Sequence, residues 1–295
     1  MKKIFVTGGS GFIGINLCKY LSETEEYKVY SPSSKEIDLL DAEVMEEYLR
    51  ENQFDVVIHA ANYGIGIDKT KDETKILENI LKMFLNLQKN SNLYGKLIHL
   101  GSGAEFDKRY PIIEVREEEV GETIPQDQYG LAKYIIGKMT ENETNVYNLR
   151  LFGIFGPYEY WPVKFISNIC CKAIKDLPMT IRQDVFFDYL WIEDFCKIIK
   201  WFIKNEPQYH TYNVTTGIKI NLIELCQTVL NVSGKNLPVY VCKDGYANEY
   251  TSNNQRLMKE IGDFEFTPIE VSIEKLYRWY LERQEMIDIT KLLYQ

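Results

Sequence analysis

Three glycines near the N-terminus have the spacing that lets a backbone approach phosphate groups. The chain runs from Thr7 to Gly14 as Thr-Gly-Gly-Ser-Gly-Phe-Ile-Gly, directly after a short apolar segment. A helix starting at such a turn would offer unpaired N–H groups and a partial positive charge to phosphates. Gly8 permits the tight turn, Gly11 leaves room for a pyrophosphate, and Gly14 lets the helix pack closely. We expect an anion site formed by Gly8, Gly11, Phe12 and Ile13.

A tyrosine followed four residues later by a lysine places both side chains on one helix face. This spacing occurs three times, at Tyr129/Lys133, Tyr134/Lys138 and Tyr160/Lys164. Because spacing alone does not choose among the pairs, the neighbouring residues decide. The first pair encloses Gly130 and Ala132, which are small enough for another group to pack against that face. Tyr129 and Lys133 are therefore the pair predicted to do chemistry.

The elements that must position these residues alternate along the first half of the chain. Apolar strand patterns cover residues 3–6, 27–30, 55–59, 96–100 and 145–149, and helical patterns cover 12–21, 42–52, 70–89 and 127–142. Strands that are continuous apolar runs separated by helices predict a doubly wound parallel sheet covered on both faces. In such a sheet ligands bind outside the carboxyl ends of the strands, where the glycine turn and Ser102 follow.

Composition excludes several classes of protein. The 295 residues include 34 Lys and Arg against 43 Asp and Glu, a net charge of −9, which argues against a nucleic-acid footprint. No apolar run approaches the roughly 20 residues that span a bilayer. The six cysteines form no C-x-x-C pair and no apolar leader follows Met1, so we expect buried thiols, no metal site and a cytoplasmic protein.

The segment after the second predicted strand bears on the choice of dinucleotide. An acid usually ends this strand and binds the adenosine ribose, which favours NAD. This chain instead has Ser33, Ser34 and Lys35, and hydroxyls beside a cation suit a 2′-phosphate. We therefore expect NADPH, with NAD as the alternative. Four more residues are expected at the cofactor: Asp38 and Leu39 near the adenine, and the small Ala60 and Ala61 beside its backbone.

Taken together, these motifs resemble the extended short-chain dehydrogenase/reductase family, the NAD(P)-dependent nucleotide-sugar epimerases, dehydratases and reductases. The resemblance is carried by the glycine turn, His59-Ala60-Ala61, Ser102, Tyr129-x-x-x-Lys133, Arg150 to Pro157, Phe187 to Asp194 and Tyr212 to Val214. It covers nearly the whole chain and is specific for the superfamily. It is much less specific for the substrate.

The resemblance implies a fold and an assembly. The fold would be α/β, a Rossmann-type doubly wound parallel sheet with a smaller, interleaved C-terminal substrate-binding lobe. Residues 1–155, with returns from about 185–215, would form the NAD(P)-binding domain, and residues 156–295 mainly the nucleotide-sugar-binding lobe. Members often dimerise through two helices, so we expect a homodimer and name six apolar residues compatible with it: Leu77, Ile80, Leu81, Phe84, Ile135 and Ile136.

The resemblance also implies roles for the chemical residues. Tyr129 would be the general acid that protonates a carbonyl oxygen as the nicotinamide delivers hydride. Lys133 would hold the nicotinamide ribose and lower the pKa of Tyr129 by its charge. Ser102 would hydrogen-bond the same carbonyl oxygen. Three further residues match positions that contact the nicotinamide: Leu151, Phe152 and Ile154.

Departures from the family pattern reduce the number of activities that we expect. Sugar dehydratases carry acids just after the catalytic Ser or Thr, where this chain has Gly103 and Ala104. The run from Lys35 to Asp41 resembles GDP-fucose synthases, which are NADPH-dependent 4-keto-6-deoxymannose epimerase/reductases. In this chain Ala104 stands at the position of their epimerising Cys, and near the position of their His it has Phe165 with Lys164 adjacent. We therefore expect an NADPH-dependent 4-ketoreductase of a nucleotide-activated deoxysugar.

Three alternatives stay open: a nucleotide-sugar 4-epimerase with tightly bound NAD, an epimerase/reductase of the GDP-fucose synthase type, and a cofactor-binding regulatory protein. Substrate contacts are expected from Gly103, Ala104, Gly153, Lys164, Asn168 and Arg182. Phe187 stands where the family usually has an arginine, so diphosphate binding there must differ. The residues leave GDP, dTDP, CDP and UDP as candidate nucleotides.

Overall fold

The chain alternates strands and helices through its first half. The structure, a computed structural model, describes residues 1–64 and 72–293. The first elements are β1 (Lys2–Thr7), α1 (Phe12–Ser22), β2 (Tyr27–Tyr30), α2 (Ala42–Asn52), β3 (Val56–His59), α3 (Ile76–Gln88), β4 (Lys96–Ser102), β5 (Ile112–Val115), α4 (Gln128–Thr140) and β6 (Val146–Leu151). Residues 70 and 71, the predicted start of the third helix, lie outside the described residues.

The second half contains shorter strands and the remaining helices. These are β7 (Gly153–Phe155), α5 (Phe165–Ile174), β8 (Met179–Asp184), β9 (Phe186–Trp191), α6 (Ile192–Lys204), β10 (Thr211–Val214), β11 (Lys219–Asn221), α7 (Leu222–Ser233), β12 (Val239–Tyr246), β13 (Tyr250–Ser252), α8 (Gln255–Ile261), α9 (Ile269–Leu281) and α10 (Ile289–Leu293).

Six strands form the main sheet in the order β10-β6-β4-β3-β1-β2, and every pair is parallel. Helices cover both faces because α1 packs on α6, whereas α2, α3 and α4 pack together. On the first face Leu17 and Ile199 belong to one buried cluster. On the second, Met45, Phe84 and Ile136 belong to another. The expected doubly wound Rossmann-type α/β fold is confirmed.

A second sheet lies in the part of the chain that the sequence pattern describes least well. β9 pairs antiparallel with β11 and parallel with β7 and β13, while β13 also pairs with β5. In this register Tyr250 lies beside both Phe187 and Ile112. The pairing therefore joins three distant segments of the chain, and it brings Tyr250 towards the end of the main sheet.

The buried side chains connect the two halves. One cluster contains Ile4 of the main sheet together with Ile169, Leu225 and Leu276 of α5, α7 and α9. Four cysteines are buried as expected, but Cys18 is half-buried and Cys242, on β12, is exposed. Among the described residues, none of the helices has the length and apolar character needed to cross a membrane.

Candidate active site

The order of the strands reverses between β1 and β3, and the two turns that follow these strands touch. Gly8 has φ of +68°, a left-handed conformation that favours glycine. A Cβ on Gly8 would lie 2.8 Å from the Cα and N atoms of Ala61. The backbone N–H of Ala61 also donates to the Thr7 hydroxyl, at 3.2 Å. The structure thus forms a crevice at the topological switch point, where doubly wound sheets bind ligands.

Helix α1 begins at this crevice without a side-chain cap. Gly11 is its N-cap residue, and no side chain accepts a hydrogen bond from the first turn. A Cβ on Gly14 would lie 2.2 Å from the Gly8 carbonyl oxygen, so glycine is required for this close approach. The first N–H groups of Phe12 and Ile13 have no intrahelical acceptor. This end of the helix therefore suits the phosphates of a dinucleotide.

In the turn after β2, Ser33 hydrogen-bonds to the carboxylate of Glu36. Both the backbone N–H and the hydroxyl of Ser33 donate to Oε2 of Glu36, each at 2.7 Å. Ser34 and Lys35 are exposed beside them. Asp38 accepts from the N–H of Leu40 at 2.9 Å. Leu39 packs against the second core cluster, as do Ala61 and Tyr129, whereas Ala60 packs against the first. Glu36 was not among the residues expected at the cofactor.

The residues predicted to do chemistry come together at the carboxyl end of β4. Ser102 is the last residue of that strand, and its side chain interacts with the phenol of Tyr129 in α4. Lys133, one turn further along α4, is only 1% exposed. Its Nζ donates to the Leu100 carbonyl at 2.7 Å and lies 5.8 Å from the centre of the Tyr129 ring. Strand β4 and helix α4 together position all three side chains.

The protonation of this group differs from our expectation in one respect. Burial raises the pKa of Tyr129, and the negative charges of Glu105 and Asp127 add to the effect, although the hydrogen bond from Ser102 opposes it. The expected lowering of this pKa by Lys133 is wrong, because burial dominates. Burial also lowers the pKa of Lys133 to about 8. Tyr129 therefore stays protonated at neutral pH and can donate a proton.

Two histidines lie beneath this site. His59 and His99, in β3 and β4, are buried, and their ring centres are 5.3 Å apart. Nδ1 of His59 lies 2.8 Å from the Thr7 hydroxyl, and Nε2 of His99 lies 3.4 Å from Nζ of Lys133. Burial lowers the pKa of His59 to about 3 and moves that of His99 well below its usual value. Both rings are neutral, so His99 adds no positive charge beside Lys133.

The buried carboxylate of Glu105 holds the backbone at Ser102 in place. Glu105 accepts the backbone N–H of Ser102 at 3.2 Å and the Nε–H of Arg150 at 2.5 Å. It also accepts the side-chain amide of Asn148, at 3.0 and 3.1 Å. A Cβ on Gly137 would lie 2.4 Å from the Glu105 carboxylate, which explains the glycine in α4. The network fixes the strand end that carries Ser102.

Tyr250, which the sequence analysis missed, completes the group of hydroxyls. Its phenol also interacts with Ser102, and its ring lies 5.1 Å from that of Phe152 and 5.9 Å from that of Phe187. A Cβ on Gly103 would lie 2.5 Å from the Tyr250 hydroxyl. A cavity of about 310 Å³ opens beside Tyr250. Among 21 tyrosines, no local pattern marks this one, because only the pairing of β13 brings it here.

The other predicted residues lie at several places in the fold. Four of them lie close to Ser102. Gly103 and Ala104 follow it in sequence and are buried. Leu151, the last residue of β6, is paired with Ser102 in the sheet, and the Phe152 ring packs over Gly103. Ile154 and Gly153 lie in β7 against β9. Lys164, just before α5, and Arg182, in β8, are exposed. The side chain of Asn168 is buried and donates to the Pro162 carbonyl at 2.9 Å.

With a dinucleotide crevice beside a Ser, Tyr and Lys group, the site defines a nicotinamide-dependent enzyme on a Rossmann-type fold. The chain belongs to the NAD dependent epimerase/dehydratase family, whose model matches residues 4–215.

Two curated relatives and one solved structure illustrate the similarity. The chain is 34% identical to the GDP-L-colitose synthase of Yersinia pseudotuberculosis, over 96% of this chain and 99% of that one. It is 35% identical to the GDP-L-fucose synthase of Azorhizobium caulinodans, over 79% and 81%. A GDP-L-fucose synthetase from Naegleria fowleri bound to NADP has the same fold, with a TM-score of 0.82, 19% identity and coverage of 97% and 94%.

Proposed function

We propose that the protein reduces a 4-keto group on a nucleotide-activated deoxysugar, using NADPH. The observation that carries the proposal is the convergence of Ser102, a protonated Tyr129 and a buried Lys133 at the end of β4. The two sequence relatives support the substrate class, because both names describe enzymes of GDP-activated deoxysugars.

The chain's own residues fit a nicotinamide dinucleotide. The uncapped start of α1 and the turn at Gly8 suit the diphosphate, Ala60 and Ala61 leave room beside it, and Lys133 would hold the nicotinamide ribose. When bound, the reduced cofactor supplies hydride to the carbonyl carbon. Tyr129 donates its proton to the carbonyl oxygen, so that the ketone becomes a secondary alcohol. Ser102 donates a hydrogen bond to the same oxygen and orients it.

The choice of NADPH rests on the turn after β2. Two donors of Ser33 already converge on one carboxylate oxygen of Glu36, so the turn is built to hold an anion. A 2′-phosphate would replace Glu36 at these donors, and the exposed Lys35 would add a positive charge. The NADP bound to the Naegleria fowleri protein is consistent with this choice.

The carboxylate of Glu36 also favours a second candidate. An acid near the end of the second strand can bind the ribose hydroxyls of NAD. A 4-epimerase that keeps NAD bound, or an epimerase/reductase of the GDP-fucose synthase type, would use the same Ser102 and Tyr129. The reductase and the 4-epimerase differ in whether they consume their cofactor. A reductase consumes one NADPH per product, whereas an epimerase with bound NAD shows no net consumption.

The proposal is tested by mixing the purified protein with NADPH and a nucleoside-diphosphate 4-keto-6-deoxyhexose, and following both NADPH absorbance and product. We expect stoichiometric consumption, and Tyr129→Phe to lower turnover at least about a hundredfold. Tyr134→Phe, from the second Tyr-Lys pair of the same helix, is the control and should keep its activity. Product formed without net NADPH consumption would favour the epimerase. A fully active Tyr129→Phe variant would exclude the mechanism and support a regulatory role.

We also propose a homodimer formed through α3 and α4. Ile80, Phe84 and Ile136 are buried within one chain, so they are already used by its own core. The half-buried residues Leu77, Leu81 and Ile135 remain available to a second copy. Light scattering of the purified protein would measure the assembly, and a monomer would contradict it.

A further inference from the structure

The side chain of Ser102 interacts with two phenols, although the proposed reaction uses only one of them. α4 brings Tyr129 to the serine and β13 brings Tyr250. Both tyrosines are largely buried but keep part of their surface exposed. The site therefore contains one hydroxyl more than protonation of a carbonyl requires.

Packing holds Tyr250 in place. Its backbone pairs with Phe187 on one side and Ile112 on the other, and its ring lies against Phe152. The hydroxyl occupies the space above Gly103, because any Cβ there would come within 2.5 Å of it. A phenol held this rigidly loses little conformational entropy when it binds a substrate. Burial also raises the pKa of Tyr250, so that its hydroxyl stays protonated and can donate.

We propose that Tyr250 binds the oxygen substituent on the carbon next to the reacting ketone, and that it selects for sugars that carry this oxygen. The inference rests on the proposed ketoreductase function. Both phenols interact with the side chain of Ser102, so their oxygens lie near one another. Tyr129 takes the carbonyl oxygen because it has Lys133 on its own helix face. The vicinal oxygen is then the nearest polar atom for Tyr250.

In a 4-keto-6-deoxyhexose this vicinal oxygen is the hydroxyl at carbon 3. The other neighbour of the ketone, carbon 5, carries the ring oxygen and the methyl group. A site built to bond a substrate hydroxyl discriminates against the analogue that lacks it, because its own polar group is then left unpaired. The expected substrate class is therefore the 3-hydroxylated 4-keto-6-deoxyhexoses rather than the 3,6-dideoxy ketones.

The test compares two substrates that differ only at carbon 3, a nucleoside-diphosphate 4-keto-6-deoxyhexose and its 3,6-dideoxy counterpart. NADPH consumption gives kcat and KM for the wild type, for Tyr250→Phe and for the control Tyr240→Phe, an exposed tyrosine on β12. We expect the wild type to prefer the 3-hydroxylated ketone at least about tenfold in kcat/KM. Tyr250→Phe should lose about tenfold on that substrate and less than twofold on the dideoxy one, with unchanged NADPH affinity and melting temperature.

The outcomes separate the two proposals. If the wild type consumes no NADPH with either ketone, the proposed function is wrong and the inference falls with it. If the wild type reduces both ketones equally well, or Tyr250→Phe loses the same factor on both, the inference alone is wrong. The preference of the wild type tests the inference even if Tyr250→Phe does not fold. Tyr240→Phe should match the wild type on both substrates.

Discussion

Glu105 and Arg150 form an ion pair in which neither side chain is exposed to solvent. The carboxylate accepts from Nε of Arg150 and from the backbone N–H of Ser102, so the pair lies directly under the proposed active site. Within the described residues, the two terminal nitrogens of Arg150 have no hydrogen-bond partner. Glu105 is thus the group that compensates the buried guanidinium charge.

Replacing Glu105 by glutamine should destabilise the protein by about 3–5 kcal/mol, because it leaves the buried charge of Arg150 uncompensated. Chemical denaturation gives the free energy of unfolding. Glu46→Gln is the matched control, since Glu46 forms an exposed pair with Arg50 and its loss should change stability by less than about 1 kcal/mol. Equal effects of the two substitutions would contradict the assignment of Glu105.

The activity should fall as pH rises through about 8. Burial lowers the pKa of Lys133 to about 8, so Lys133 is charged below this pH and neutral above it. The pKa of Tyr129 is raised above its usual value of 10, so Tyr129 is still protonated in this range. The fall in activity with rising pH therefore reports the loss of the Lys133 charge. We expect this charge to be needed for binding the nicotinamide ribose.

A profile of kcat/KM between pH 6 and 10 measures this fall. Lys133→Arg should abolish it, because a guanidinium stays charged throughout, even if the altered geometry lowers the overall rate. Lys138→Arg, from the second Tyr-Lys pair, should leave the profile as in the wild type. A fall near pH 8 that persists in Lys133→Arg would assign the titration to another group.

Cofactor preference should depend on Glu36 and Lys35. Glu36→Gln removes the negative charge that competes for the two donors of Ser33, so it should tighten NADPH binding several-fold and leave NADH nearly unchanged. Lys35→Ala should weaken NADPH binding selectively, because it removes a positive charge near the expected 2′-phosphate. Calorimetry with both cofactors measures the difference. Equal changes for NADPH and NADH would show that the phosphate binds elsewhere.

The buried Glu159 should make the protein less stable as pH rises. Burial raises its pKa from 4.5 to about 7, against a hydrogen bond from Ser167. Between these two values the folded state binds more protons than the unfolded state, so stability decreases with pH across this range. The difference corresponds to about 3 kcal/mol at 1.36 kcal/mol per pKa unit.

Glu159→Gln should therefore raise the free energy of unfolding at pH 8 and change it little at pH 4.5, since glutamine can still accept from Ser167. Urea denaturation at the two pH values provides the measurement. Glu193→Gln is the control, because Glu193 is exposed and pairs with Lys275 at the surface. A variant no more stable than the wild type at pH 8 would contradict the raised pKa.

Local patterns were sufficient to predict the elements of the main sheet and the residues at its carboxyl ends. The glycine turn, Ser102 and the spacing of Tyr129 and Lys133 each depend on neighbours in sequence. Strand β2 and helix α2 have the predicted bounds. Each of these features arises within one strand–turn–helix unit, where periodicity and turn chemistry decide the structure.

Features that depend on distant segments could not be predicted in this way. Tyr250 reaches Ser102 only because β13 pairs with β9, and no periodicity specifies that pairing. The sign of the Tyr129 pKa shift was missed for the same reason. It depends on how deeply the completed fold buries the phenol, whereas the sequence showed only the nearby positive charge of Lys133.

The edge strand β10 affects how the molecule folds. β10 consists of Thr211–Val214 and pairs with β6, while Asn213 donates its backbone N–H to the buried Glu117. During synthesis, the edge of the sheet beside β6 therefore stays open until nearly three quarters of the chain has left the ribosome. The half that carries the glycine turn gains its last strand from the half that follows it, so the two should fold as one cooperative unit.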